Sequence, residues 1–413
     1  MSLTVEIEKH FLLGRMQRVV SRRLWRGPRG GARGLLLPVS RFSEAPDPGR
    51  TPYDPKLPDV LPFDRWIKDI GPTLQPPVAN KMIFDEGFLK VMVVGGPNER
   101  KDYHLQSGEE FFWQIKGTLK LHVVLKNRFR TITVPEGHCF LLPARVPHSP
   151  RRSDGSIGIV VERGHEHEPE EMDGLQWYAS EEGEGRAVGS ISPESDEGDG
   201  DRGILYEEYF KCYDLGKELG PVIGRFQEFM KSRPQNSEGV TVENPPIRPD
   251  HFTGLGHILP FDPYIDECLR EARGTGGEGK EGKAAASFRS FQLFMGREKS
   301  VSLVTGEGEL ATHAPKPQPG EIMRSKGEST SPTKSIAATF PTDEVLLWQV
   351  RGAAEVVTQK RRFQLGHLDM ALIAPNEKPV RVLNQDLENE NDSSNTPGAS
   401  ATLVVQNLKQ FIK

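Results

Sequence analysis

Several features that would quickly settle the class of this chain are scarce or absent. Cysteine occurs three times, at Cys139, Cys212 and Cys268, and never as a CxxC pair. That spacing argues against a disulfide framework or a thiolate zinc site and suits a reducing compartment. Each thiol reads as a small buried hydrophobe. No run of roughly 18 apolar residues, the length a membrane-spanning helix needs, occurs anywhere. A basic surface is missing as well. The net charge of −5 argues against general nucleic-acid binding, which needs cations for the phosphates.

Glycine and proline are plentiful, 42 and 33 in 413 residues, so the fold should be turn-rich and interrupted. That length suits two or three domains. Residues 1–50 hold ten Lys and Arg against four Asp and Glu, a net of +6. An Arg-rich stretch of this kind can be an organelle transit peptide, but Glu6 and Glu8 stand where such peptides avoid acids. We read residues 1–58 as a disordered basic extension and the chain as cytoplasmic, with mitochondrial import as the alternative.

From Pro62 the pattern changes. "PFDRWIKDIG" reads as a short helix, and "FLKVMVVGG", "EEFFWQIKGTLKLHVVLKN", "RTITV", "HCFLLPA" and "SIGIVVER" read as strands. Strands without intervening helices point to an all-β unit over residues 59–180. Residues 181–204 form an acidic linker with eight acids in 181–201, disordered by composition. Residues 205–287 read as a helical bridge, two short helices broken at Gly220–Pro221, followed by a Gly-rich insertion. A second strand-rich block fills residues 288–413, interrupted by low-complexity loops at 306–336 and 385–400. The blocks match through Trp113 and Trp348, Gln114 and Gln349, and Gly117 and Gly352. The chain therefore reads as a duplication.

One constellation carries chemistry. Gly96 is followed after five residues by Asp102-Tyr103-His104, then Glu110, then Gly117; Gly137 precedes Pro143 and His148 closes "PARVPH". Taken singly, each histidine would be an ordinary surface or core side chain. Together the spacings place His104 and Glu110 on neighbouring strand ends across the "QSG" turn, with His148 reaching the same mouth. Two imidazoles and one carboxylate on one side of a metal leave positions open, which suits Fe(II) chemistry with O2. The same set suits catalytic zinc. In the second block Glu110 aligns with Val345, His148 with Val380, and His104 falls near Thr339, so only the first block should bind metal.

These paired motifs resemble those of the cupin superfamily, with Asp102 in place of a His, Arg145 in place of a Gly, and a slightly long gap from His104 to Glu110. The resemblance implies two antiparallel β-barrels. A closer one lies in "LQPPVANK", "LKVMVVGGPNERKDYH", "GEEFFWQIKG", "FLLPARVPHSPRR" and "GIVVERGHEHEPEEMDGLQWY", which look like the 3-hydroxyanthranilate 3,4-dioxygenase family. It implies one Fe(II) per chain on His104, Glu110 and His148. It implies Arg100 beside O2, Arg152 on the substrate carboxylate, and Glu162 and Glu110 in contact with the substrate, with Asn80 a further candidate for the pocket wall. The reaction so implied opens the ring of 3-hydroxyanthranilate with O2 to 2-amino-3-carboxymuconate semialdehyde, which cyclises to quinolinate on the route from tryptophan through kynurenine to NAD. The tail "VVQNLKQFIK" lacks the CxxC pairs of some members, so no second iron is expected, and the two-block organisation resembles members that work as monomers.

Two other readings stand beside this one: a two-barrel cupin that binds metal without catalysis, and a metal-dependent isomerase on the same fold. "HEHEPEE" (165–171) reads as a solvated loop, and His122 and His138 as ordinary packed or surface histidines. "GTGGEGKEGK" has no strand before it and no Walker-type ending, so it reads as a flexible insertion.

Overall fold

A computed structural model describes residues 60–75, 79–85, 87–125, 128–164, 171–179, 203–213, 215–233, 239–250, 253–274, 288–310, 344–374, 377, 379–385 and 400–407. The expected strands form, and they build two β units of two sheets each, an antiparallel duplicated architecture. The inner sheet of the first unit runs in the order Leu259–Pro260, His138–Leu142, Glu110–Lys116, Ile157–Arg163, Leu89–Gly95, Asn80–Phe84. Its outer sheet runs Ile204–Phe210, Asp173–Tyr178, Tyr103–Leu105, His148–Arg152, Leu119–Leu125, Arg128–Val134. The second unit repeats this plan: Leu61–Pro62, Asp369–Ile373, Val345–Arg351, Ala401–Asn407, Lys299–Thr305, Arg289–Met295 inside, and Glu307–Leu310, Val380–Gln385, Ala353–Val357, Arg362–Leu365 outside. Strand pairing does not pass from one sheet of a unit to the other among the described residues, so each unit is a two-sheet sandwich by its pairing.

Burial explains why the inner strands are almost continuously apolar. Phe111, Trp113 and Ile115 pack into a core shared by both inner sheets, while Phe112 on the opposite face packs inside the first unit. A strand buried on both faces has no use for polar alternation. Arg128–Val134, with one face in solvent, does alternate. At the centre of the shared core Trp113 and Trp348 lie 4.3 Å apart, centroid to centroid. Gln114 donates to the Lys116 carbonyl at 2.7 Å and Gln349 donates to that of Arg351 at 2.7 Å, so the duplication extends to individual hydrogen bonds. Gly117 and Gly352 both sit at positive φ, +69° and +63°, where a Cβ would press on Ser156 and Ser400.

The tetrapeptide Leu-Pro-Phe-Asp occurs at 61–64 and again at 259–262. Each copy opens an arm of a two-residue strand and a helix, Phe63–Ile70 and Phe261–Gly274. Each arm precedes its own unit in the chain yet docks on the other. Leu61 pairs with Met370, and Leu259 with Cys139. Phe63 packs on Trp348 and Phe261 on Trp113, at 5.2 and 4.3 Å.

Three expectations are corrected. Ile204, placed at the end of the acidic linker, and residues 205–210, read as the start of the helical bridge, form an outer-sheet strand; "LYEEY" alternates buried Leu205 and Glu207 with outward Tyr206 and Glu208, the period of a strand. Leu215–Ser232 is a single helix running through Gly220–Pro221. Pro221 is exposed, so its ring lies on the solvent side of the helix. Residues 307–310, placed in a low-complexity loop, form a strand because Val380–Gln385 supplies their partners. The three cysteines are free and buried, as expected.

If the shared core joins the two units, Trp348→Ala should cost about 3–5 kcal/mol in denaturant unfolding, as for large buried aromatics generally. Met295→Ala, at a side chain 53% exposed, should stay within about 0.5 kcal/mol. Equal small effects would show that the core is not what holds the units together.

Candidate metal centre

His104, Glu110 and His148 converge between the two sheets of the first unit. Glu110 opens the inner strand Glu110–Lys116; His148 heads the outer strand His148–Arg152 and pairs directly with His104. The "QSG" segment is therefore no hairpin between His104 and Glu110, as the spacing suggested. It carries the chain from the outer sheet to the inner one, which is why the gap is long. All three side chains are buried, and one candidate ligand atom from each lies within 4.8 Å of the others.

The rings are held from behind. His148 Nδ1–H donates to the Val146 carbonyl at 3.0 Å, which leaves Nε2 facing Glu110 Oε1 at 2.9 Å. Nε2 of His104 lies 3.0 Å from Asp173 Oδ2, and this carboxylate is 2% exposed. Burial alone would raise the Glu110 pKa. His148, with His104 and a hydrogen bond from Gln106, outweighs it and holds the group well below the usual carboxylate range, so Glu110 is a ready anionic ligand. Two imidazoles and a carboxylate in a buried cluster are a donor set that fits a divalent metal, zinc or iron alike.

The side chains around the triad are charged. Strand parity separates Arg152 from Arg151. Arg152 shares the face of His148, whereas Arg151 lies on the other face, with His122. Arg152 is buried and its Nε has no hydrogen-bond partner. Burial pulls its pKa down to about 10, against the opposing pull of Glu110. Arg100 donates to Asp102 through Nε at 2.9 Å, and its guanidinium also feels the charge of Glu110. Asp102, at the position of the missing histidine, is thus the anchor of Arg100. Glu162 faces Lys90 across the sheet, and Lys90 Nζ donates to the Tyr213 carbonyl at 2.8 Å. Asn80 pairs with Val94 on the face that lines the unit's interior.

Asp173, Lys90 and the buried Cys212 were not singled out from the sequence. "MDGLQWY" and "KCYDLG" gave no ligand spacing; Asp173 and Lys90 are brought in by sheet pairing, and Cys212, just past the strand Ile204–Phe210, lies near enough to feel the charges of Asp173, Glu162 and Lys90. His122 and His138 stand apart from the triad: His122 Nδ1 lies 3.1 Å from Thr131 Oγ1, and His138 Nδ1 donates to the Glu136 carbonyl at 2.9 Å. Of "HEHEPEE", residues 165–170 lie outside the described set.

Among the described residues, the second unit has no counterpart of the ligands. Val345 and Val380 stand where expected, but Thr339 lies outside the described residues. The register places Leu310 opposite Val380, as His104 is opposite His148. Leu310, Val345 and Val380 belong to one apolar core. Arg152 is replaced by Asn384, which is bonded to Gln349, Ser400 and Thr402 and so committed to structure.

If Asp173 orients His104, Asp173→Asn should weaken metal affinity by about 10- to 100-fold in competition with a chromophoric chelator. His122→Ala should leave it unchanged. Wild-type affinity in the Asp173 variant would remove that role.

A family model described as 3-hydroxyanthranilic acid dioxygenase matches residues 59–185, which contain the whole triad and its charged surroundings. Among curated proteins, the 3-hydroxyanthranilate 3,4-dioxygenase of Homo sapiens is 41% identical over 209 residues, 50% of this chain and 64% of that protein. That of Nematostella vectensis is 42% identical over 163 residues, 40% of this chain and 52% of its own length. The chain thus spans about half to two thirds of these relatives. The Xenopus laevis protein of the same name is 31% identical over 313 residues, covering 76% of this chain and 89% of its own. Solved structures are more distant; an oxalate decarboxylase aligns at 12% identity and a TM-score of 0.36, too low to carry weight. On the length and identity of the Xenopus match, and with the family model lying over the triad, the chain belongs to the 3-hydroxyanthranilate 3,4-dioxygenase family.

Proposed function

We propose that this chain opens the aromatic ring of 3-hydroxyanthranilate with O2, giving 2-amino-3-carboxymuconate semialdehyde. Both oxygen atoms enter the product, which cyclises to quinolinate, a precursor of NAD made from tryptophan. The observation that carries this reading is Arg152. A buried guanidinium with an unpartnered Nε, on the face that holds His148 and beside anionic Glu110, is costly unless an anion completes it. A planar aromatic carboxylate matches its fork.

His104, Glu110 and His148 would hold one Fe(II) per chain, in the first unit only. When bound, the iron supplies the redox chemistry and the adjacent open positions that let substrate and O2 meet. The chain's own residues position and shield. Arg152 binds the substrate carboxylate and sets the ring's orientation. Glu162, with Lys90 opposite, accepts a hydrogen bond from the substrate's amino or hydroxyl group. Glu110 is both ligand and substrate neighbour, and Arg100, held by Asp102, places a positive charge where O2 gains electron density. Asn80 forms part of the pocket wall. Burial of the triad keeps bulk water from competing for the reacting groups.

No helix among the described residues is long and apolar enough to cross a membrane. We propose a cytoplasmic monomer, with the second unit standing where a partner subunit would, an arrangement supported by the exchanged arms.

Arg152→Ala should lower kcat/KM for 3-hydroxyanthranilate by about 10- to 100-fold, the worth of one or two charge-assisted hydrogen bonds. Arg151→Ala, on the other face, should cost little. In an oxygen electrode the Fe(II)-loaded protein should take up one O2 per substrate. Binding without O2 uptake would favour a non-catalytic cupin, and turnover without O2 an isomerase.

A further inference from the structure

We propose that Glu109 is a positioning residue through which the second unit holds the metal ligand Glu110 in place. Glu109 and Glu110 are adjacent, and their side chains go to different partners. Glu110 turns into the first unit, and Glu109, 3% exposed, turns to the hairpin that starts the second. Its carboxylate accepts three consecutive backbone N–H groups: Arg297 at 2.7 Å on Oε1, then Glu298 at 3.0 Å and Lys299 at 2.8 Å on Oε2. In return, Glu109 N–H donates to Glu298 Oε2 at 3.3 Å. A Cβ on Gly296 would come within 2.0 Å of Glu109 Oε2, so the hairpin is glycine where the carboxylate enters.

Such a clamp could serve only to join the units, and the fold contains the comparison that separates the two roles. Glu344 precedes Val345 as Glu109 precedes Glu110. It accepts Leu89 N–H at 3.0 Å, and a Cβ on Gly87 would come within 2.0 Å of its Oε1. The same device therefore works in both directions, but only Glu109 is joined to a metal ligand. Consecutive Cα atoms are about 3.8 Å apart, so a shift of the clamped carboxylate passes directly to Glu110. A metal site tolerates only about 0.5 Å of such displacement. On this view the second unit, which has lost its own ligands, acts as the rigid backing of the first unit's site.

The inference rests on the metal-centre reading, and the test separates the two. Co(II) serves as the probe because its d–d absorption reports coordination geometry, and the full chain is used throughout. Glu109→Gln and Gly296→Ala should each weaken Co(II) binding by about tenfold and alter the d–d spectrum. Glu344→Gln and Gly87→Ala should lower the Tm to a similar extent yet leave Co(II) affinity within about twofold. Gly296→Ala displaces the carboxylate without changing the first unit, so it answers alone if Glu109→Gln fails to fold. The proposal is overturned if the first pair binds Co(II) with wild-type affinity and spectrum, or if all four variants weaken it alike. Wild-type protein that binds no Co(II) would overturn the metal centre itself, and the proposal with it.

Discussion

Along the strand Glu110–Lys116, successive side chains belong to two different interiors. Phe111, Trp113 and Ile115 are shared with the second unit, while Glu110, Phe112 and Gln114 face into the first. One seven-residue strand therefore ties the metal ligand to the interface between units. The tilted contact of Trp113 with Trp348, the exchanged Leu-Pro-Phe-Asp arms and the paired Glu109 and Glu344 clamps all act on this strand or its copy. The second unit covers the apolar face of the first unit's inner sheet.

The two units show what changes when a site is given up and an interface is kept. Leu310, Val345 and Val380 close the second interior with apolar contacts where the first keeps two imidazoles and a carboxylate. Asn384 spends its hydrogen bonds on Gln349, Ser400 and Thr402, whereas Arg152 keeps an unpartnered Nε. A buried guanidinium nitrogen left unpaired is destabilising unless a ligand completes it, so Arg152, where the second unit has the fully bonded Asn384, marks the working half.

Much of this was legible in the sequence. The triad followed from motif spacing, and the duplication from Trp-Gln and Gly at matched intervals, because turn glycines and strand cores are local requirements. What was missed is tertiary. Glu307–Leu310 is Gly-rich and is a strand only because Val380–Gln385 pairs with it, so the partner of His104 was sought near Thr339. Residues 205–210 form a strand whose period-2 alternation is legible in the sequence, although the helical spacing that follows masks it. Asp173, Lys90 and Glu109 act across sheets or units and leave no spacing signature. The repeated Leu-Pro-Phe-Asp was a readable signal of the arms, but which unit each arm covers is decided by packing. The family resemblance points to Arg152 rather than its neighbour Arg151, and the strand's parity adds the physical reason by setting them on opposite faces.

The central claim is a single metal centre in the first unit, made by His104, Glu110 and His148. Elemental analysis of protein loaded anaerobically with excess Fe(II) and then desalted tests it most directly. The account predicts one iron per chain in the wild type and none in His148→Ala. Two irons per chain, or one retained after His148 is removed, would contradict it.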